Sequence, residues 1–258
     1  IVILSQSDSI IIPSNIMKLS LLKNVQIIGV YEIISTGSLV NKKSLFVKGF
    51  GLFQSFKMGY ILFGKKLLDL LDILTRYFIL NVPRSIYSAS VRCNSQYKKI
   101  NDPNKQEFLD NLIDLKVDLC VSFSAPIIFK EKLLAIPTYG CINLHCSLLP
   151  RFAGLLPSFW TLYHNEKVIG STVHFMDNKI DNGKILAQVK MNMPDNPTMF
   201  KVIQKTKDQG GDLMCEVVKR IMSDNLKPLD TLQSGRSYFT WPTIAQIREF
   251  RKRGGKLV

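Results

Sequence analysis

The chain has 258 residues, 46% of them hydrophobic and 21% charged, a balance that fits one large folded α/β domain and excludes an extended disordered chain. Its formal charge of +14 points to anionic partners such as phosphates, nucleotides, nucleic acid or an anionic membrane surface, although a chain this rich in Lys, Ile and Asn also carries the mark of genome base composition. The cysteines Cys93, Cys120, Cys141, Cys146 and Cys215 form no C-x-x-C pair and read as reduced thiols of a cytoplasmic protein, with no secretory signal and no uncharged apolar run of about 18 residues in view.

The opening IVILSQSDS reads as a buried strand ending in a polar turn, and an Ile at position 1 in a strand-like run implies a short initiating segment before it. IIPSNIMKLSLL follows as a helix and VQIIGVYEII as a second strand. This βαβ opening has no G-x-G-x-x-G at its first turn, so a dinucleotide site is not supported. From Ser38 to Lys66 the pattern is irregular, with six Lys, no acid and several aromatics. Beyond it, Leu67, Leu70, Leu71, Leu74 and Phe78 line one helical face while Lys65, Asp69, Asp72 and Arg76 line the other, Asp72 and Arg76 standing in the favourable i,i+4 order. The apolar face reads as core packing; its competitor is a peripheral membrane or partner contact, because the preceding stretch interleaves Lys with Phe, Leu and Tyr.

SIYSASVRCNSQ is a further helix, YKKIND a short strand, and DPNKQEFLDNLIDLK a helix with Asp102 as its expected N-cap and Pro103 at its first position. VDLCVSF and GCINLH are core strands joined by the crossover IIFKEKLLAIP. PSFWTLYHN is helical, GSTVHFMD and KILAQVKM are strands around a DNG turn, and Pro197 to Met222 is one long helix whose weak point is Gly210 and Gly211. This alternation predicts an α/β protein with a mostly parallel, doubly wound sheet. The expected division is a catalytic domain over 1–195, with an irregular basic helical insertion around 38–82, and a small C-terminal extension of helix and tail over 196–258.

INLHCSLLPRFAG places an amide, an imidazole and a hydroxyl where a strand runs out into a proline-closed loop. Side chains two apart on a strand share a face, so Asn143 and His145 point together, at the strand end where open α/β sheets bind ligands. Both can donate to the oxyanion of a tetrahedral intermediate, a role whose loss raises a barrier by roughly 3 to 4 kcal/mol. Asp181, in MDNKIDNGKIL at the tip between two strands, could take a proton from an attacking amine, directly or through water.

INLHCSLLPRFAG followed by GSTVHFMDNKIDNGKILAQ resembles the formyltransferases that use 10-formyltetrahydrofolate, whose shared pattern is N-x-H-x-S-x-L-P with a later D-x-G. The resemblance is strong from Val117 to Met193, moderate at the first strand and helix, and poor between Ser35 and Asn81. It implies a Rossmann-like fold, with Asn143, His145 and Asp181 as the catalytic residues of direct formyl transfer from the folate to an amine, and no metal. The folate would lie against the loop SFSAPIIF, with Phe123, Ser124, Ala125 and Pro126 as lining residues acting more through backbone than side chain. Homodimers occur among the members that modify sugars, and no residue here specifies such an interface.

Ser147 has no G-x-S-x-G elbow and reads as a hydroxyl that orders the loop, with substrate contact as its alternative. His164 and His174 lack partners at metal-ligand spacing and read as structural, and a metal at Cys141 and Cys146 is disfavoured. After Met193 only 65 residues remain, little room for the β-barrel that transfer-RNA formyltransferases of this family add. The tail instead offers Tyr238, Phe239 and Trp241 beside Arg248, Arg251, Lys252 and Arg253, a set able to stack on a base and meet a pyrophosphate. The competing reading is a C-terminal helix that docks by its aromatics. The expected acceptor is therefore a nucleotide-linked amino sugar, on the way to a surface polysaccharide. Initiator transfer RNA comes second, glycinamide ribonucleotide third, and a non-catalytic binding relative last.

Overall fold

The computed structural model describes residues 1–8, 11–34, 42–75, 83–229 and 235–258. Four buried residues form β1 (Val2–Ser5), which pairs in parallel with β2 (Gly29–Ile33) on one side and β4 (Cys120–Phe123) on the other. β3 (Gln96–Ile100) extends the sheet beyond β2, and β5 (Cys141–His145) extends it beyond β4, both in parallel. β7 (Val168–Phe175) and β8 (Ile185–Asn192) complete the order β3-β2-β1-β4-β5-β7-β8 as antiparallel strands. This is the mostly parallel, doubly wound sheet that the alternation predicts. Its order reverses at β1 and β4, the switch point at which such sheets open a crevice.

Strand alternation sends residues to two cores. Ile1, Ile3, Val121 and Ile142 pack with α1 (Ile12–Ser20), α4 (Ile86–Arg92) and α8 (Met199–Met222). Val2, Leu4, Tyr31 and Cys120 pack with α5 (Gln106–Asp114) and α6 (Glu131–Leu134) on the opposite face. A third cluster joins Leu45 and Phe50 of α2 (Lys42–Phe50), Phe159 and Trp160 of α7 (Pro157–Tyr163), Val202 of α8, and Ile247 and Phe250 of α9 (Ile244–Lys252).

Several expectations are corrected. Within the expected C-terminal segment, Leu213, Met214, Val217 and Val218 of α8 are core on the sheet's own face. Gly210 and Gly211 do not interrupt α8; they let it approach closely, since a Cβ would fall 2.7 Å from Leu144 at the first and 2.0 Å from Asn15 at the second. Asp102 does not cap α5, whose N-cap is Lys105; its carboxylate accepts from the Asn104 backbone and side chain in the preceding turn. The irregular basic segment contains α2 and α3 (Leu52–Leu74), and the Leu67-to-Leu74 face is exposed rather than core. Asp72, the buried residue of α3, pairs with Arg92 at 3.0 Å, while Arg76 and Phe78 lie outside the described residues.

One buried ion pair ties the ends of the fold together. Lys207 of α8 donates to Asp8 at 2.7 Å, and the same carboxylate accepts from the backbone N–H groups of Ile11 and Ile12 at the entry to α1. Burial lowers the Lys207 pKa, but the charge and hydrogen bond of Asp8, with a contribution from Cys146, outweigh it and the net shift is upward, so Lys207 stays charged. Removing one partner of such a pair strands the other, at a cost of about 3–5 kcal/mol. Asp8→Asn is therefore expected to lower unfolding free energy in urea by about that amount, and adding Lys207→Met should recover much of it. A loss under about 1 kcal/mol for the single variant would show that the pair contributes no net stability.

Candidate active site

β5 ends in Asn143 and His145, and the chain then turns through Ser147 and Pro150 into β6 (Ala153–Gly154). His145 Nε2 lies 2.9 Å from the Phe152 carbonyl, which can only accept, so this nitrogen carries a hydrogen and Nδ1 is left facing Asp181 Oδ2 at 3.4 Å. Asp181 belongs to the loop between β7 and β8, which doubles back so that its carboxylate also accepts from the Gly154 N–H at 2.7 Å. The structure thus brings together the three residues expected to be catalytic, across 36 positions of sequence between His145 and Asp181 (181 − 145).

His174, read as structural from the sequence, lies against this cluster. His174 pairs directly with Asn143 across β5 and β7, and its Nε2 accepts from the Asn143 amide at 3.2 Å while lying 3.6 Å from Asp181 Oδ1. Its Nδ1 donates to the Phe175 carbonyl at 2.7 Å, which fixes the tautomer when the ring is neutral. The alternation of GSTVHFMD puts His174 on one face of its strand, but only the register with β5 makes that face the one carrying Asn143.

Burial by itself would raise the Asp181 pKa. The neighbouring imidazoles of His145 and His174 and the Gly154 N–H together outweigh it and hold the carboxyl well below the usual carboxylate range. Asp181 is a carboxylate at neutral pH. Its backbone is left-handed, with φ 48°, and the glycine two residues on is required because a Cβ at Gly183 would lie 1.9 Å from the Phe175 carbonyl oxygen. Arg236 clasps the same loop, donating to the Ile180 and Asp181 carbonyls and to the Asn182 side chain at 2.9–3.2 Å. No spacing rule singles out Arg236, since it lies 55 residues from Asp181 in sequence (236 − 181).

The expected substrate contacts divide. Ser147 is fully buried and donates to the Arg151 and Phe152 carbonyls, which orders the loop. β9 (Tyr238–Phe239) pairs in parallel with β6, which draws the tail onto the loop beside the catalytic cluster. Phe239 is not free to stack on a base, because it lies stacked on Trp160 and Phe152, with ring centroids 4.6 and 5.6 Å away. Trp241 meets Phe46 edge-on, and α9 buries Ile247 and Phe250, so the docking-helix reading is the one observed. Tyr238 remains 48% exposed. The Phe123 side chain belongs to the core, whereas Ser124, Ala125 and Pro126 are half-buried at the end of β4. His164 packs among Phe152, Trp160 and Phe239, a structural role. Burial pushes the Cys146 thiol upward, which favours the neutral thiol.

The sheet is of the open α/β kind, and the model of the formyl transferase family matches residues 84–218. The chain belongs to that family. Over 132 residues it is 33% identical to the methionyl-tRNA formyltransferase of Clostridium perfringens (strain SM101 / Type A), a match covering 51% of this chain and 43% of the relative. It is 32% identical over 159 residues to the bifunctional polymyxin resistance protein ArnA of Wigglesworthia glossinidia brevipalpis, covering 60% of this chain and 24% of that one. The match therefore spans less than half the length of these relatives. Among solved structures, a 4-N formyltransferase from Francisella tularensis superposes with a TM-score of 0.58 at 21% identity, covering 93% of this chain and 75% of its own. Glycinamide ribonucleotide transformylase 1 from Symbiobacterium toebii gives 0.61 at 15% identity, covering 89% and 93%.

The lowered pKa of Asp181 has a definite sign in stability. A carboxyl depressed on folding contributes stability that is present above its unfolded pKa and lost as pH falls through its folded one. The stability of the wild-type chain relative to Asp181→Asn should hold level from neutral pH down to about pH 5 and shrink below about pH 4. Unfolding curves at several pH values measure this, and a difference that stays level or widens in acid would contradict a depressed carboxyl.

Proposed function

We propose that the chain transfers a formyl group from 10-formyltetrahydrofolate to the amine of a nucleotide-linked amino sugar. The observation that carries the reaction is the convergence of Asn143, His145 and a carboxylate at Asp181. The Asn143 amide has two hydrogens, of which His174 accepts one, leaving the other for the oxygen of the formyl group. His145, anchored through Nε2 on the Phe152 carbonyl, presents Nδ1; protonated there, beside Asp181, it is a second donor to that oxygen.

As the amine attacks, a bond forms from its nitrogen to the formyl carbon and the bond from that carbon to the folate nitrogen breaks. The proton that the amine sheds passes through Asp181, or a water beside it, to the departing folate nitrogen, the depressed carboxyl relaying the proton without keeping it. His174 acts through Asn143, as a positioning residue. Phe123 stands in register with Leu144, so the half-buried Ser124–Pro126 segment runs beside His145 and suits a folate held there by backbone groups. Ser124, at φ 56°, turns the chain out of β4 at this point.

The exposed Tyr238 ring, on the strand paired with β6 next to Gly154, supports a base or sugar as the acceptor's recognised part. A sugar acceptor also agrees with the fold shared with WlaRD, a sugar 3N-formyl transferase whose structure was obtained with dTDP and 5-N-formyl-THF, at a TM-score of 0.56 and 16% identity. A second acceptor, methionyl-tRNA, is favoured by the 33% identity to relatives named for it and by the +14 charge.

Folate release from 10-formyltetrahydrofolate, followed with a panel of nucleotide-linked amino sugars, charged initiator transfer RNA and glycinamide ribonucleotide, decides among them. Turnover with a sugar alone is expected; turnover with transfer RNA alone replaces the acceptor. His145→Ala should lower turnover by about 10²–10³ while folate still binds. Retention of activity within about tenfold would remove His145 from the oxyanion site.

A further inference from the structure

α3 turns a stripe of large apolar side chains outward. Nine large apolar side chains between Leu52 and Leu74 are 46–78% exposed, among them Phe53, Phe56, Tyr60, Phe63 and Leu70. At about 100° per residue the nine fall within an arc of about 100°, one continuous stripe along a helix of about 34 Å. The opposite side, turned to the protein, is mixed: half-buried Met58, Ile61, Leu62, Leu68 and Ile73 share it with Asp72, buried against Arg92, and Lys65, 6.0 Å above the Phe200 ring. Soluble domains bury such a stripe or use it.

The charges around the stripe say what it meets. Lys57 and Lys66, both exposed, stand about 40° outside its two edges, while the acids of α3, Asp69 and Asp72, fall on the far side of the helix. At its N-terminal end the basic α9 adjoins, Arg251 donating to the Phe50 carbonyl and Arg248 to that of Lys48. The outward face is therefore apolar, bordered by cations and free of acid. A second copy would meet it with the same cations, which repel. A sheet of anionic lipid headgroups over an apolar interior complements both features.

We propose that α3 lies in the surface of an anionic membrane, with the stripe from Leu52 to Leu74 in the headgroup and acyl boundary and Lys57 and Lys66 against lipid phosphates. No helix among the described residues is long and apolar enough to cross a membrane, so the contact is peripheral. It stands independently of the formyl-transfer reading.

The test is flotation of the purified full chain with vesicles of phosphatidylcholine alone and vesicles containing about 30% phosphatidylglycerol. Recovery on the anionic vesicles is expected to be at least about tenfold higher and to fall with added salt. Lys57→Glu with Lys66→Glu should abolish that preference, and Phe56→Ser with Phe63→Ser should abolish binding, both variants melting as the wild type does because these side chains are exposed. Equal recovery on the two vesicles, or none on either, overturns the proposal. So does a dimer seen by sedimentation that the Phe56→Ser, Phe63→Ser variant dissociates, which would make the stripe a self-interface.

Discussion

A carboxylate taken out of water persists only where fixed donors and positive charge replace the water it loses. Asp181 meets that condition with the Gly154 N–H of β6 as its donor and the imidazoles of His145, at the end of β5, and His174, on β7, at 3.4 and 3.6 Å. The loop that presents it must adopt a left-handed residue and pass against a backbone carbonyl at Gly183, and Arg236 holds that path from the tail. The charge on Asp181 in turn orients the two imidazoles. The site is one electrostatic unit assembled by the fold, more than three residues that happen to be close.

That unit explains why the C-terminal segment is built into the molecule. β9 pairs with β6, so the strand that supplies the Gly154 N–H is itself held by Tyr238 and Phe239. Phe239 is then fixed by its stack on Trp160, and α9 closes the aromatic cluster through Phe250. A disturbance in the tail would reach Asp181 through two routes, the β6–β9 pairing and the Arg236 clasp. The aromatics there act first as packing, and only Tyr238 keeps a surface for another molecule.

α3 follows a different logic. A helix on a soluble domain ordinarily turns its apolar stripe inward, because burial of that area is what holds it in place. Here Met58 and the ion pair between Asp72 and Arg92 hold the inward side, and among the described residues the outer stripe is exposed. The +14 charge, ambiguous as a bulk property, acquires a location through Lys57 and Lys66.

The sequence by itself determined the class of fold and most of the site. Runs of β-branched residues alternating with amphipathic stretches require a parallel sheet with helices on both faces, and the two-residue period of a strand puts Asn143 and His145 on one face whatever else the chain does. The D-x-G turn marked Asp181. Local pattern carries those facts because they depend on neighbours in sequence. What only the tertiary structure decided depends on register and on contacts across long separations. His174 joined the site because β7 pairs antiparallel with β5 in a register that sets it opposite Asn143. Arg236 reached the catalytic loop through the pairing of β9 with β6. Gly210 and Gly211, helix breakers by propensity, became the places where α8 could close on Leu144 and Asn15. The outward turn of α3 was likewise hidden, because periodicity defines a stripe but not the direction it faces.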